Sequence, residues 1–476
     1  EQWAGRAQEE PKVTYHDFLR TKLATATPCG FDYPLSHMPM GMHGWQQDVT
    51  QWALRTGRAA LFEDCGMGKT RQQLAWARAV SNHTGRPVLI LAPLAVSEQT
   101  RREGDKIGVH VTVCRSQADV TGGVCVTNYE MLHHFDASDF GGVVLDESSI
   151  LKAYMGKTKR MLVEAFADTP YKLACTATPA PNDLMELLNH AEYLGVMRSS
   201  KALSIWFIAD QTNSGTYRLK GHAAPDFWRW VTSWAVCLDK PSDIGYADDG
   251  YILPPLHEED RVIPINEIAS DFSDGLLRKI DMSATGFYRE KRHTLDARVR
   301  LCAEIVRDTD GPCMVWCLMN EESTALKRAL PEAVEIKGSD SAQAKEEAAM
   351  AFIDGKARVL ISKPSIFGFG LNFQHCHTAV FCGLDYSYEG YYQAVRRLYR
   401  YGQTEPVRIV RVIGSTEQRI LEAQERKERQ QREMHQSMAA AMRDLQRGNV
   451  RCGSHYTLNL DERHASVPHW LAEEAI

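Results

Sequence analysis

Three short stretches carry side chains suited to phosphate chemistry. "FEDCGMGKT" (62–70) ends in Gly-x-Gly-Lys-Thr, after an apolar run and before a helical pattern. A strand, a glycine loop and a helix N-terminus together present backbone N–H groups to a triphosphate. Gly66 and Gly68 let the backbone approach the phosphates closely. Lys69 would reach the β- and γ-phosphates, and the Thr70 hydroxyl would bind Mg2+. The usual first glycine of a phosphate loop is missing, because Glu63 occupies its position. "GVVLDESS" (142–149) adds a strand-end acid pair. Asp146 is suited to hold Mg2+ and Glu147 to polarise an attacking water. "QAVRRLYRYGQ" (393–403) offers Arg397 and Arg400, three residues apart on one predicted helical face. On a second, mobile body they would compensate the γ-phosphate charge as arginine fingers.

These residues need a scaffold that brings distant loops to one edge. Between residue 59 and about 188, strand-like runs alternate with helical stretches; "VLILAPL", "VCVTN" and "KLACTAT" are among the strands. They are rich in Val, Leu, Ala and Cys with little alternation, as expected of strands buried on both faces of a parallel sheet. A second alternation begins near residue 311, with "PCMVWC", "AVEIKG", "RVLISK", "TAVFCG" and "VRIVRVI". The expected fold class is α/β: two doubly wound parallel-sheet domains, a helical insert between them and a C-terminal helical tail. The expected divisions are a lead-in over 1–43, a first domain over 44–188, an insert and linker over 189–292, a second domain over 293–420 and a tail over 421–476. Within the insert, "FWRWVTSWAV" (227–236) places Trp228, Trp230 and Trp234 at helical spacing, read as burial against a neighbouring helix rather than base stacking.

Composition excludes several classes. The 476 residues, 44% hydrophobic and 24% charged, are those of a globular protein with room for two or three cores. No apolar run has membrane-spanning length, and "EQWAGRAQEEPKVTY" (1–15) lacks a secretion-signal layout, so a cytoplasmic, membrane-free protein is expected. The 12 cysteines form no CxxC pair and are expected to be reduced and buried. A net charge of -6 argues against a simple electrostatic nucleic-acid binder, but a local basic groove remains compatible with it. The stretch 393–432 is basic by about two to one.

The ordered motifs resemble a superfamily-two helicase motor, most closely the Swi/Snf (chromatin-remodeller) branch. "WQQDVTQWAL" (45–54) resembles its adenine-side motif and places the glutamine at Gln46. "FEDCGMGKT" resembles motif I, whose acidic pair before the glycines is matched by Glu63 and Asp64. "LILAPLAVSEQTRRE" (89–103) resembles motif Ia, "VTNYEML" (126–132) the DNA-contacting element, "LDESSILK" (145–152) motif II and "CTATPAPNDLMELL" (175–188) motif III. "SKPSIFGFGLNFQ" (362–374) and "QAVRRLYRYGQ" resemble motifs V and VI, followed by "STEQRILEAQERK" (415–427). "TYHDFLRTKLATATPCGFDYP" (14–34) and "FWRWVTSWAVCLDKPSDIGY" (227–246) resemble the compact DEAD/DEAH-type helicases of bacteriophages and mobile elements.

The resemblance implies an ATP- and Mg2+-dependent DNA translocase that works as a monomer, with double-stranded DNA its expected partner. It implies nucleotide contacts from Gln46, Gly66, Met67, Gly68, Lys69, Thr70, Arg71, Gly370 and Gln393. Backbone contacts to one DNA strand would come from Arg101, Thr127, Asn128, Lys363 and Asn372. Motif II departs from DEAH at Ser148 and Ser149. Ser149 stands where a histidine usually links ATP state to motif III, and its hydroxyl is expected to bond Thr176 or Thr178. Two other readings stay open. One is a strand-separating helicase on DNA or RNA. The other is an ATP-gated DNA-binding module that recruits a nuclease or methyltransferase, with a single-strand-binding protein as a further possible partner.

Overall fold

Val88–Ala92 is a run of five apolar residues with no solvent exposure, and it forms an interior strand of a parallel sheet. A computed structural model describes residues 26–93, 96–209, 217–264, 291–366 and 373–452. In chain order the first half contains α1 (Gly44–Thr56), β1 (Arg58–Glu63), α2 (Lys69–Thr84), β2 (Val88–Ala92), α3 (Ser97–Ile107), β3 (Val111–Val113), β4 (Val124–Asn128) and β5 (Gly142–Asp146). It continues with α4 (Lys157–Ala165), β6 (Tyr171–Thr176), α5 (Glu186–Leu194), α6 (Ser199–Trp206), the hairpin β7 (Phe207–Ala209) and β8 (Tyr217–Leu219), α7 (Ala224–Thr232) and β9 (Ala235–Leu238). The second half runs β10 (Leu256–Ile263), α8 (Leu295–Arg307), β11 (Cys313–Cys317), α9 (Asn320–Ala329), β12 (Val334–Glu335), α10 (Ala342–Ile353), β13 (Val359–Ser362), β14 (Thr378–Cys382), α11 (Tyr388–Val395), β15 (Val407–Gly414) and α12 (Gln418–Cys452).

The strands form two parallel sheets, ordered β3-β4-β2-β5-β6-β1-β9 and β10-β15-β14-β11-β13-β12. The chain is therefore an α/β protein of two doubly wound domains. Each sheet carries apolar clusters on both faces, which is why its inner strands read as unbroken hydrophobic runs. The register decides where the chemistry sits. Phe62 lies beside Thr176 and Asp146 beside Cys175, so the C-terminal ends of β1, β6 and β5 come level in a row. Their three loops therefore share one edge, the usual ligand edge of such sheets.

The stretch 189–292, read as a helical insert, also supplies a strand to each sheet: β9 flanks β1, and β10 pairs with β15. Trp228, Trp230 and Trp234 are buried within it and pack on Phe62, Phe227 and Trp206. α12 links the two halves. It begins beside the second sheet, where Gln424 donates to the Asp385 carbonyl at 2.7 Å. It then reaches the first domain, where Met434 joins the core and His435 pairs with Asp239 at 2.9 Å.

Its start is tied down by a buried ion network. Arg298 on α8 has no exposed side-chain surface and donates to Glu322 at 2.7 Å and to the Cys382 carbonyl at 2.8 Å. Lys291 pairs with Glu417 at 3.0 Å, and Glu417 accepts from the Gly414 N–H at the end of β15. Removing one member leaves buried, uncompensated charge, so Arg298→Ala should cost about 3–5 kcal/mol, read as a lower urea midpoint.

Candidate functional site: a cleft between two α/β domains

The glycine loop joins the end of β1 to the start of α2. Gly66 and Gly68 have φ of 91° and 81°, the left-handed region that suits glycine. A Cβ at Gly68 would lie 2.3 Å from the Gln46 amide nitrogen, so a side chain there would collide with the residue that braces the loop. Gln46 is buried and donates to the Met67 carbonyl at 2.8 Å, while its oxygen accepts from the His43 N–H at 3.0 Å. Met67 itself points into the core. Lys69 Nζ donates to the Glu63 and Asp64 carbonyls at 2.7 and 3.1 Å, which holds its ammonium inside the curve of the loop. Thr70 follows in the first turn of α2. Arg71 turns away to the Gly41 carbonyl and to Glu103.

Glu63 ends β1 and is fully buried, its carboxylate accepting from Gln72 at 2.7 Å. Burial pushes its pKa up to about 7 against the pull of Lys69. Asp146 accepts from Gln73 at 2.8 Å, and burial raises its pKa too. Glu147 has φ 58°, the one non-glycine residue in the left-handed region among the described residues. That conformation swings its carboxylate off the strand line toward β6, where Thr176 donates to it. Thr178 is tied to the same point, its N–H donating to the Thr176 hydroxyl at 3.0 Å.

The second domain closes over this edge. α11 carries Tyr392, whose hydroxyl donates to Asp64 at 2.5 Å, and Arg396, the residue just after the helix, pairs with the same carboxylate. Arg397 and Arg400 do not lie on a helical face as expected. α11 ends at Val395, and both arginines sit in the turns that follow, where Arg397 N–H bonds Ala394 and Arg400 accepts from Gln403. Burial lowers both pKa values, Arg400 to about 10, against the pull of nearby carboxylates: Glu147 and Asp146 for Arg397, and Asp64 for Arg400. Gln393 lies on α11 next to Tyr392.

Ser149 departs from expectation as well. Its hydroxyl lies 3.1 Å from Glu147 and 2.7 Å from Glu389 of α11, and its bonds go to neither Thr176 nor Thr178. The expected DNA-facing residues are scattered. Arg101 sits on the α3 surface between Glu98 and Asp105, and Lys363 donates to Asn320 at 2.6 Å. Thr127 is buried, and the Asn128 side chain caps the turn after β4 by accepting from Met131 N–H. Burial withdraws the Thr127 hydroxyl from the surface, and the Asn128 cap uses its oxygen as acceptor. Gly370 and Asn372 lie outside the described residues.

Sequence reasoning missed an aromatic group beside Gln46. Tyr251 packs on Trp45, His43 and Tyr401, and Tyr401 of the second domain also sits over Gly66. Only the aromatic residues around motif VI hinted at it. Arg396 was missed too, although it adjoins both arginines that were singled out.

The residues fit a Mg-nucleotide: two glycines in left-handed conformation, an ammonium curled inside the loop, and a half-buried aspartate at the end of β5 on the same sheet edge. No curated protein matches the chain. Residues 296–402 match the helicase conserved C-terminal domain. That segment contains Glu389, Arg396, Arg397 and Arg400. Among solved structures, the chain is similar to the Sulfolobus solfataricus SWI2/SNF2 ATPase core in complex with dsDNA, at 16% identity and a TM-score of 0.40. The alignment covers 79% of this chain and 89% of that one. No described helix is long and apolar enough to cross a membrane.

The raised pKa of Glu63 has a pH consequence. Its carboxyl ionises near 4.5 in the unfolded chain but about 7 in the folded one, so its contribution to stability is full below pH 4.5 and is lost as pH rises through about 7. Glu63→Gln removes that loss. Its melting temperature should exceed that of the wild type by a margin that grows between about pH 5 and pH 8.

Proposed function

We propose that the protein is an ATP-hydrolysing motor of the superfamily-two helicase type, acting as a translocase on DNA, with the duplex as its track. One observation carries the reading: Lys69, Asp146 and Glu147 on one sheet edge face Arg397 from a separate domain, while Arg400 of that domain lies beside Asp64 and Gly66 of the glycine loop. A site divided in this way works only when the two bodies meet, so nucleotide binding and domain closure are one event.

In the proposed cycle the loop from Asp64 to Lys69 takes the phosphates, and Lys69 exchanges its two carbonyl partners for phosphate oxygens. Thr70 and Asp146 would hold Mg2+, which neutralises phosphate charge when bound. Glu147 orients and deprotonates the attacking water. Its burial raises the pKa, which strengthens it as a base. Arg397 and Arg400 stabilise the charge that develops on the transferring phosphoryl group. Tyr251 and Tyr401 flank the side where Gln46 would meet the base. Movement follows if the two domains grip phosphates alternately, with Arg101 on one side and Lys363 on the other, contacts that position without reading sequence.

A strand-separating reading draws support from a different feature. The three tryptophans are core residues and supply no wedge, but the hairpin β7–β8 holds Ile208 and Tyr217 in solvent. We keep duplex translocation as the main reading.

Lys69→Ala and Glu147→Gln should each lower DNA-stimulated ATP hydrolysis by about 10² or more, the scale of a lost base or phosphate clamp. Arg400→Ala should do the same while nucleotide binding, read with a fluorescent ATP analogue, stays within about twofold. Duplex DNA should stimulate hydrolysis and support triplex displacement. Stimulation by single strands alone, with unwinding of a forked substrate, would transfer the assignment to a strand-separating helicase.

A further inference from the structure

Ser149 has one hydroxyl proton and two carboxylates within reach. Glu147, the proposed base, lies 3.1 Å away on the same loop, and Glu389 lies 2.7 Å away on α11 of the second domain. A hydroxyl donates one hydrogen bond at a time, and an ionised carboxylate only accepts. The two acids therefore compete for the same proton, and the shorter distance favours Glu389. Glu389 is itself fixed by Lys152, which holds its other oxygen through an ion pair, so its approach to Ser149 depends on the second domain being docked. Glu147 meanwhile keeps one donor of its own domain, Thr176.

We infer that Glu389 is a positioning residue for hydrolysis: by drawing the Ser149 proton away from Glu147 when the domains meet, it frees the base to accept the attacking water. With Glu389 withdrawn, Glu147 is the one carboxylate of the pair left within reach of Ser149, and that bond occupies a lone pair and weakens the carboxylate as a proton acceptor. With the cleft closed, the bond passes to Glu389 and Glu147 recovers its acceptor site. The serine does the work of a relay without a charge of its own. The exchange moves a hydrogen bond and transfers no proton.

This inference rests on the ATPase reading, and one assay separates the two. Wild-type turnover that Lys69→Ala abolishes establishes the hydrolysis site. In the same assay Glu389→Ala should lower kcat about tenfold, the effect of misdirecting one charge-assisted hydrogen bond, with KM for ATP within about twofold. Glu389→Gln keeps an acceptor for Ser149 and should restore most of that loss although it breaks the ion pair to Lys152. Ser149→Ala removes the competing donor, so the Ser149→Ala/Glu389→Ala double variant should turn over as fast as Ser149→Ala alone. Turnover of Glu389→Ala equal to wild type overturns the inference. So does a double variant whose losses multiply, because that makes the two residues independent.

Discussion

Four carboxylates, those of Glu63, Asp64, Asp146 and Glu147, gather at one sheet edge with a single lysine from the same domain among them. Like charges withdrawn from water cannot all remain ionised without compensation. Two answers are visible. Glu63 yields its charge readily, with a pKa near neutrality. Asp146 and Glu147 share Lys69 of their own domain, and the second domain adds further cations: Arg396 on Asp64, Arg397 beside Asp146 and Glu147, and Arg400 near Asp64. The electrostatic deficit of one domain is thus the binding surface of the other. A triphosphate entering between them would add negative charge where arginines are already desolvated, and low local dielectric makes that attraction strong.

Parallel-sheet topology makes this arrangement possible at little cost to the core. Within each large sheet all strands point one way, so every loop that follows a strand end falls on the same rim of that sheet, however far apart in sequence. β1, β6 and β5 lie side by side in the sheet, yet the loop that follows Glu63 is more than 80 residues of chain away from the loop that follows Asp146. The core beneath is ordinary, with fully buried strands and tryptophans. The polar rim departs from the pattern: a glutamate in left-handed conformation, two close-packed glycines, and arginines in irregular turns.

The fold class was legible because residues buried on both faces leave no alternation, and each such run became a strand. β9 and β10 escaped for opposite reasons. "AVCL" follows an aromatic helix and merges with its apolar pattern. "LHEEDRVI" is an edge strand so rich in exposed charge that it lacks any apolar signature. The glycine loop and the acid pair were legible because their chemistry is local. Ser149's true partner was not. Glu389 lies 240 residues away, and nothing in either segment encodes their meeting except the closed geometry of two domains. The same holds for Tyr251 and Tyr401, which meet over Gly66 from different parts of the chain. Periodicity misplaced Arg397 and Arg400 on a helical face, since a helix of eight residues stops short of them.

The long helix α12 has a mechanical meaning. The chain crosses from the first sheet to the second between β9 and β10, and α12 carries it back, seated at one end by Glu417 and at the other by Met434 and His435. Two bodies joined by one tether can swivel freely; joined at two separated places they keep little more than rotation about the line between those places. Whatever stroke the cleft makes is therefore steered along a single arc, and the arc's axis is written in the course of this helix.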